Sequence, residues 1–457
     1  MSEAVSPPVD STRQPGLPIA RLTFYFGLVY FLQGVCQYTA LINQPIKNYL
    51  RVTAGYDAEQ SAMFFFAVGF PWMIKPIYGL ISDFVPLFGY RRKTYLLLCN
   101  LAAAGFFLWM SGATSGINSA VMATPTMGFW ALLENPQIRA LLIAGVAVGV
   151  SVAAADVIVD ALMVEFGQKT GLVARFQGIQ WACIYGASML TTVLASYLIK
   201  WYEPPKAVSV AALVCVSMPM VVLAVTWWCV PEKKARLDSE ALKETTVALI
   251  SAFKSPRLWF VLVFIALLAF NPGMFTPAYY YFTDKLKMEA SDVAFADTYF
   301  NGGAMLGALA FMAMPTKRMS TRMIQTIGIL VSAASMVPFC FIHDKLTLGI
   351  GNGIWGFGYM TGSLATLSLA AAACPRRAEG FVFAALLSAS NFASSYGEVW
   401  GGRWYEGFAA QRLWVMVLLS MGFTLIALPL VPFLPRHMKP AGDDEPGPRG
   451  FPVELKS

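Results

Sequence analysis

The chain has 457 residues, of which 57% are hydrophobic and 13% charged, with a mean hydropathy of +0.58. A soluble domain carries roughly a quarter charged residues, so this balance excludes a soluble enzyme or binding module and implies a protein embedded in a bilayer. The net charge of +7 falls mainly in short loops on one side, a membrane-topology signature and not a nucleic-acid footprint.

Apolar runs long enough to cross about 30 Å of hydrocarbon predict twelve helices. They lie near 22–43, 58–82, 94–115, 138–164, 173–199, 207–230, 257–282, 292–314, 323–342, 347–373, 380–406 and 413–434. The polar, proline-rich residues 1–21 are expected to form a cytoplasmic tail with no cleavable signal. Two six-helix bundles are expected over 22–230 and 257–434, with a disordered cytoplasmic tail over 435–457. The connector 231–256 is charged and amphipathic and is expected to lie along the membrane surface. Basic residues gather in the loops holding Arg91–Lys93, Lys233–Arg236, Lys317–Arg318 and Arg376–Arg377, which puts both termini in the cytoplasm.

The first span carries Gln33 and Gln37 one helical turn apart, so two amides share a face, as substrate ligands or interhelical hydrogen bonds. An external loop with Gln44, Lys47 and Arg51 follows. The second span holds a lone Lys75 between Trp72 and Pro76; a lysine there costs at least about 2.5 kcal/mol and must face a partner or a wet cavity. Asp83 and the triplet Arg91, Arg92 and Lys93 close that span.

In the fourth span Asp156 and Asp160 lie on one face, with Glu165 near the cytoplasmic end. Lys75 precedes Asp83 by roughly 12 Å of helix and Asp156 precedes Glu165 by roughly 13.5 Å. The matched depth predicts a Lys75–Asp156 pair, with Asp160 as the other candidate; such a pair can handle solute or only fix helix packing. The fifth span adds Arg175, Gln177, Gln180, Trp181 and Tyr185, with Arg175 expected to latch onto Glu165 or Asp160.

Asn271-Pro272-Gly273 and Pro277 interrupt the seventh span, and broken backbone at membrane depth is tolerated where it lines a cavity. The run Tyr279–Tyr281 reads either as an outer aromatic belt or as stacking surface for a flat ring. Asp292 and Asp297 lie on the eighth span, close-packing glycines on the tenth, and Asn391, Glu398 and Arg403 on the eleventh. Asp297 and Glu398 have no evident basic partner at their depth, which makes them candidates for a titrating coupling group. The alternative pairs Glu398 with Arg403 or with serines of its own helix. The entry into the fifth span, from Arg175, can be laid on the entry into the eleventh, from Glu379, as a weak internal repeat. The seven cysteines have no metal-ligand spacing and read as small core residues, and no nucleophile–base constellation or cofactor motif occurs, so no enzyme is expected.

Gly79-x-x-x-Asp83 and Gly89-x-Arg91-Arg92 resemble the loop between helices 2 and 3 of the major facilitator superfamily, stretched here by Val85-Pro86-Leu87. That insert, Pro71-Trp72-x-x-Lys75-Pro76 and the segment Ala155–Ala161 are similar to the folate–biopterin transporter family. The resemblance implies an all-α fold of twelve transmembrane helices in two six-helix bundles, both termini inside a plasma (inner) membrane, and secondary transport of a folate or pterin by alternating access, with protons as the coupling partner and no cofactor. The expected substrate-binding residues are Lys75, Asp156, Asp160, Gln33, Gln37, Gln177 and Tyr279, because carboxylates accept from a pterin's N–H edge and amides and rings complete its recognition. Asp83, Arg91, Arg92, Glu165 and Arg175 are expected to gate, and Asp297 and Glu398 to couple. A carrier of another small organic solute and a non-transporting membrane receptor are the alternatives.

Overall fold

The computed structural model describes residues 19–115, 131–170, 173–230, 246–247, 254–315, 318–374 and 379–434. The expected N-terminal tail up to residue 18, nearly all of the connector, and the C-terminal tail lie outside the described residues.

The first crossing is made in two pieces, α1 (Ile19–Cys36) and α2 (Asn43–Val52), separated by a turn. This corrects the expectation of one helix followed by an external loop. Pro45 sits in the first turn of α2, where its missing N–H is no loss. The polar residues of α2 point inward, for Gln44, Lys47 and Asn48 are all buried.

α3 (Ala58–Met73) starts on a capping box in which Asp57 and Gln60 bond each other's backbone N–H. It gives way at Ile74 to α4 (Lys75–Phe84), which corrects the expectation of an unbroken second span. Pro76 has no N–H for the carbonyl of Trp72 four residues back, and that freed oxygen accepts instead from Asn391 Nδ2 at 3.2 Å. The break leaves Lys75 at the start of α4 with its side chain pointing into the protein, only 14% exposed.

The next helices are α5 (Lys93–Ser115), the short α6 (Ala131–Glu134), α7 (Pro136–Thr170), α8 (Val173–Trp201) and α9 (Pro204–Cys229). α10 (Pro256–Ala269) stops at the expected interruption, and the chain resumes as α11 (Thr276–Tyr280) and a π-helical turn over Tyr281–Lys285. Thereafter come α12 (Ala290–Ala313), α13 (Thr321–Ala334), α14 (Lys345–Ala373), α15 (Glu379–Glu406) and α16 (Leu413–Leu425). α14 begins on the exposed Asp344, whose bonds from the backbone N–H and hydroxyl of Thr347 hold its carboxyl below the usual range.

Among the described residues, eight helical runs are long and apolar enough to cross a bilayer. α12, α14 and α15 match them in length, at 24, 29 and 28 residues, but carry more polar side chains and glycine. The helix pairings repeat along the chain: α1 packs on α8 as α10 packs on α15, α3 on α7 as α12 on α14, and α5 on α9 as α13 on α16. α12 and α14 approach backbone to backbone, since a Cβ on Gly303 would lie 1.9 Å from Gly353 O and one on Gly356 2.0 Å from Phe300 O.

Residues up to Cys229 and those from Pro256 onward meet through α3 against α15 and α8 against α12. Polar contacts across this seam gather at the end of the molecule holding Arg51, the Arg51 face. There Arg51 Nε donates to Asp284 Oδ1 at 2.6 Å and the Ala58 N–H to Glu406 Oε1 at 3.4 Å. Tyr280 donates to Tyr56 O at 2.7 Å, so Ser61 is the donor in its 2.6 Å contact with the Tyr280 hydroxyl. Gly402 fits against the start of α3, where a Cβ would fall 2.6 Å from Ala58 O. The opposite end, the Arg92 face, carries exposed surface on α4 and α8 at Ile77, Gly178 and Trp181.

Candidate functional site

The break before α4 and the face of α7 place Lys75 and Asp156 together, with Lys75 Nζ 2.6 Å from Asp156 Oδ2. Depth matching along two helices anticipates this pair. Gln33 of α1 donates its amide to Asp156 Oδ1, and Lys75 also lies over the Trp72 ring, 4.5 Å from its centroid. One turn further along α7, Asp160 Oδ1 accepts from Tyr30 Oη at 2.6 Å and from Gln180 Nε2 at 3.0 Å. Both bonds use the same oxygen, so Asp160 Oδ2 has no donor among the described residues. Gln33 Oε1 is buried and also has no partner. Behind Asp156, a cavity of about 30 Å³ lined by Gln33, Asn100 and Ser151 has room for a water. Beside Gln180, Trp181 and Tyr185 stack at 6.0 Å with their rings 26° apart.

Of the other residues expected to bind substrate, Gln37 lies past the end of α1 in the turn and makes no side-chain hydrogen bond to a described residue. The side chains of Gln177 and Arg175 lie outside the described residues. Tyr279 is buried against Lys47 on the other side of the seam, well away from Asp156 in sequence and packing, and its hydroxyl has no partner. Tyr279 and Tyr280 are both inside the protein at 3% and 2% exposure, which corrects the aromatic-belt reading.

At the Arg92 face a single guanidinium holds two elements together: Arg92 donates to Asp83 Oδ1 at 3.0 Å and to Glu165 Oε2. The expected gating residues Asp83, Arg92 and Glu165 thus converge on one guanidinium. Arg91 is its neighbour in the turn.

A second charged group lies toward the Arg51 face. Gln44 of α2 donates to Asp297 Oδ2 on α12, and Thr276 of α11 donates to Glu398 Oε2 on α15 at 2.9 Å. Glu398 therefore bonds neither Arg403, which stacks on Trp400, nor the serines of its helix. Neither Asp297 nor Glu398 forms an ion pair among the described residues, and Lys47 of α2 stands one turn after Gln44, the donor to Asp297. Sequence reasoning missed Tyr30, Thr276 and Lys47: the first two sit in apolar or aromatic runs, and Lys47 sits in a segment that reads as a loop. Among the described residues no three His, Cys, Asp or Glu side chains converge as a metal site would require.

A model of the BT1 family matches residues 33–447. The chain belongs to the BT1 family. Its match to that family spans both halves and includes both charged groups. The folate-biopterin transporter of Synechocystis sp. is 24% identical over 448 residues, covering 92% of this chain and 85% of its own. Folate transporter 1 of Plasmodium falciparum is 22% identical over 376 residues, covering 80% and 69%. Among solved structures, this BT1-family chain superposes on a D-xylose-proton symporter with a TM-score of 0.68 at 14% identity, covering 92% of this chain and 98% of that one. The nucleoside transporter NupG gives 0.65 at 12%, covering 90% and 98%. The protein is therefore an integral, multi-pass, all-α membrane protein with a major-facilitator-like fold.

Proposed function

We propose that the protein is a secondary transporter that carries a folate or pterin across the membrane, driven by protons. The observation that carries the substrate reading is the pair of unused acceptors, Asp160 Oδ2 and Gln33 Oε1, around the Lys75–Asp156 pair and beside the Trp181–Tyr185 stack. A pterin presents adjacent N–H donors on a flat ring, and a carboxylate with an aromatic face is the chemistry that receives them. The names of the curated relatives point the same way. Gln37, Gln177 and Tyr279 are secondary candidates on this reading.

The architecture we propose has twelve crossings. α10 with α11, a short apolar helix and its continuation, and α12, α14 and α15 join the eight apolar runs, the polar residues of the last three reflecting a position along the transport path. Residues 22–230 and 257–434 form the two six-helix bundles, which the repeated helix pairings support. The connector 231–256 and both tails lie on the cytoplasmic side of a plasma membrane, as does the Arg92 face with its latch of Asp83, Arg92 and Glu165. With its cross-seam polar contacts at the Arg51 face, the molecule is closed there, and rocking of the bundles would exchange that closure for one at the Arg92 face. Asp297 and Glu398 are the proposed coupling carboxylates.

Binding tests the substrate reading directly. Biopterin or folate should raise the unfolding temperature of the purified protein, as any ligand of the native state does. Asp160→Asn, which turns an acceptor into a part-donor, should abolish the rise while keeping the fold. No shift with either ligand, or equal shifts with unrelated solutes, would remove the reading.

A further inference from the structure

Two of the interrupted crossings, α1–α2 and α10–α11, are built alike where they resume. Each has a proline in its first turn, Pro45 and Pro277, and the residue just before it, Gln44 or Thr276, donates to a carboxylate of the C-terminal half. Three residues after each donor, on the same helical face, stand Lys47 and Tyr279. These two side chains meet: Lys47 Nζ lies 5.9 Å from the Tyr279 ring centroid and 5.6 Å from that of Phe65. Lys47 is 8% exposed, and among the described residues its ammonium has no hydrogen-bond acceptor and no ion pair.

A largely buried ammonium without a paired anion is costly, and two aromatic faces offset only part of that cost. The groups that can compensate it are Asp297 and Glu398, each already held by one neutral donor on the same two helices. Among the described residues the phenol that meets Lys47 is Tyr279, and the phenols Tyr38 and Tyr359 feel the charge of Glu398. Arg51, one turn beyond Lys47, is engaged by Asp284.

We propose that Lys47 is the internal counter-charge of the coupling site, so that the pair Asp297 and Glu398 takes up one proton per cycle. Two ionised carboxylates and one ammonium sum to a single negative charge. A proton from water, added to one carboxylate oxygen, makes the group neutral, and its release restores the charge. Without Lys47 the same pocket would hold two uncompensated negative charges and would need two protons to reach neutrality. This inference rests on the proposed coupling role of the two carboxylates and adds the residue that sets their charge balance.

Charge rescue tests it. Lys47→Met in the full-length purified protein should lower the unfolding temperature at about pH 8 and cut equal-pH exchange of labelled folate by about tenfold or more, as loss of one member of a buried charge group does. The deficit in unfolding temperature should narrow at about pH 5.5, where protons replace the lost cation. Lys47→Met combined with Asp297→Asn or with Glu398→Gln restores the net charge, and at least one of these double variants should recover the wild-type unfolding temperature and exchange. Near-normal behaviour of Lys47→Met overturns the inference, as do double variants no better than the single one. The unfolding temperature needs no solute, so a wild type that carries neither folate nor pterin would remove the proposed substrate while leaving this test readable.

Discussion

Lys75 and Asp156 face each other at 2.6 Å across α4 and α7, with side chains 14% and 5% exposed, so neither charge is well solvated without the other. Removing one leaves the other buried and uncompensated, a cost of about 3–5 kcal/mol. Lys75→Met and Asp156→Leu should each reduce the yield and unfolding temperature of purified protein, and the double variant should regain both. Transport by the double variant then separates the roles: a refolded but inactive protein places the pair in solute handling, whereas strictly additive losses would contradict the coupling between the two side chains.

Two glycines should respond differently to a side chain. Gly303 is clasped by the Gly353 carbonyl within one half, so Gly303→Val should cost the protein its fold, read as aggregation on size-exclusion chromatography. Gly402 touches α3 across the seam that must part in alternating access. Gly402→Val should therefore keep the fold, lose transport, and raise labelling of a cysteine placed at Ser61. Unchanged labelling would count against closure at the Arg51 face.

Hydropathy and a few charges made much of this fold legible. The interruption at Asn271-Pro272-Gly273 is where proline and glycine put it, and equal helical rise from Asp83 and Glu165, near the cytoplasmic ends of their helices, was enough to pair Lys75 with Asp156. What stayed hidden depends on contacts between distant segments. The polar side of α2 looks like a loop because in a membrane protein such a face turns inward, toward Asp297, and not to water. Pro76 signals a break, but nothing near it says that Asn391 will satisfy the freed carbonyl of Trp72. Tyr30 reads as one aromatic residue among many until Asp160 is found beside it.

Topology is open to a direct check. Single cysteines at Arg91 and Arg318 in a cysteine-free background should resist an impermeant thiol reagent added to intact cells, while one at Leu346, beside the exposed start of α14, should react. The reverse pattern would invert the proposed orientation.

For coupling, Asp297→Asn and Glu398→Gln imitate the protonated state. The residue that carries the proton should, when so altered, still permit exchange at equal pH but fail to build a solute gradient. Normal accumulation by both variants would move the coupling role to another carboxylate, with Asp160 the next to test.

The central claim is carriage of a folate or pterin, and uptake into proteoliposomes measures it most directly. With purified protein and an imposed proton gradient, labelled folate or biopterin should accumulate above its external concentration. Unlabelled pterin should compete, xylose and nucleosides should not, and Asp160→Asn should reduce uptake to the level of empty liposomes. Uptake of neither compound by a folded wild-type protein, or uptake that Asp160→Asn leaves intact, would contradict the account.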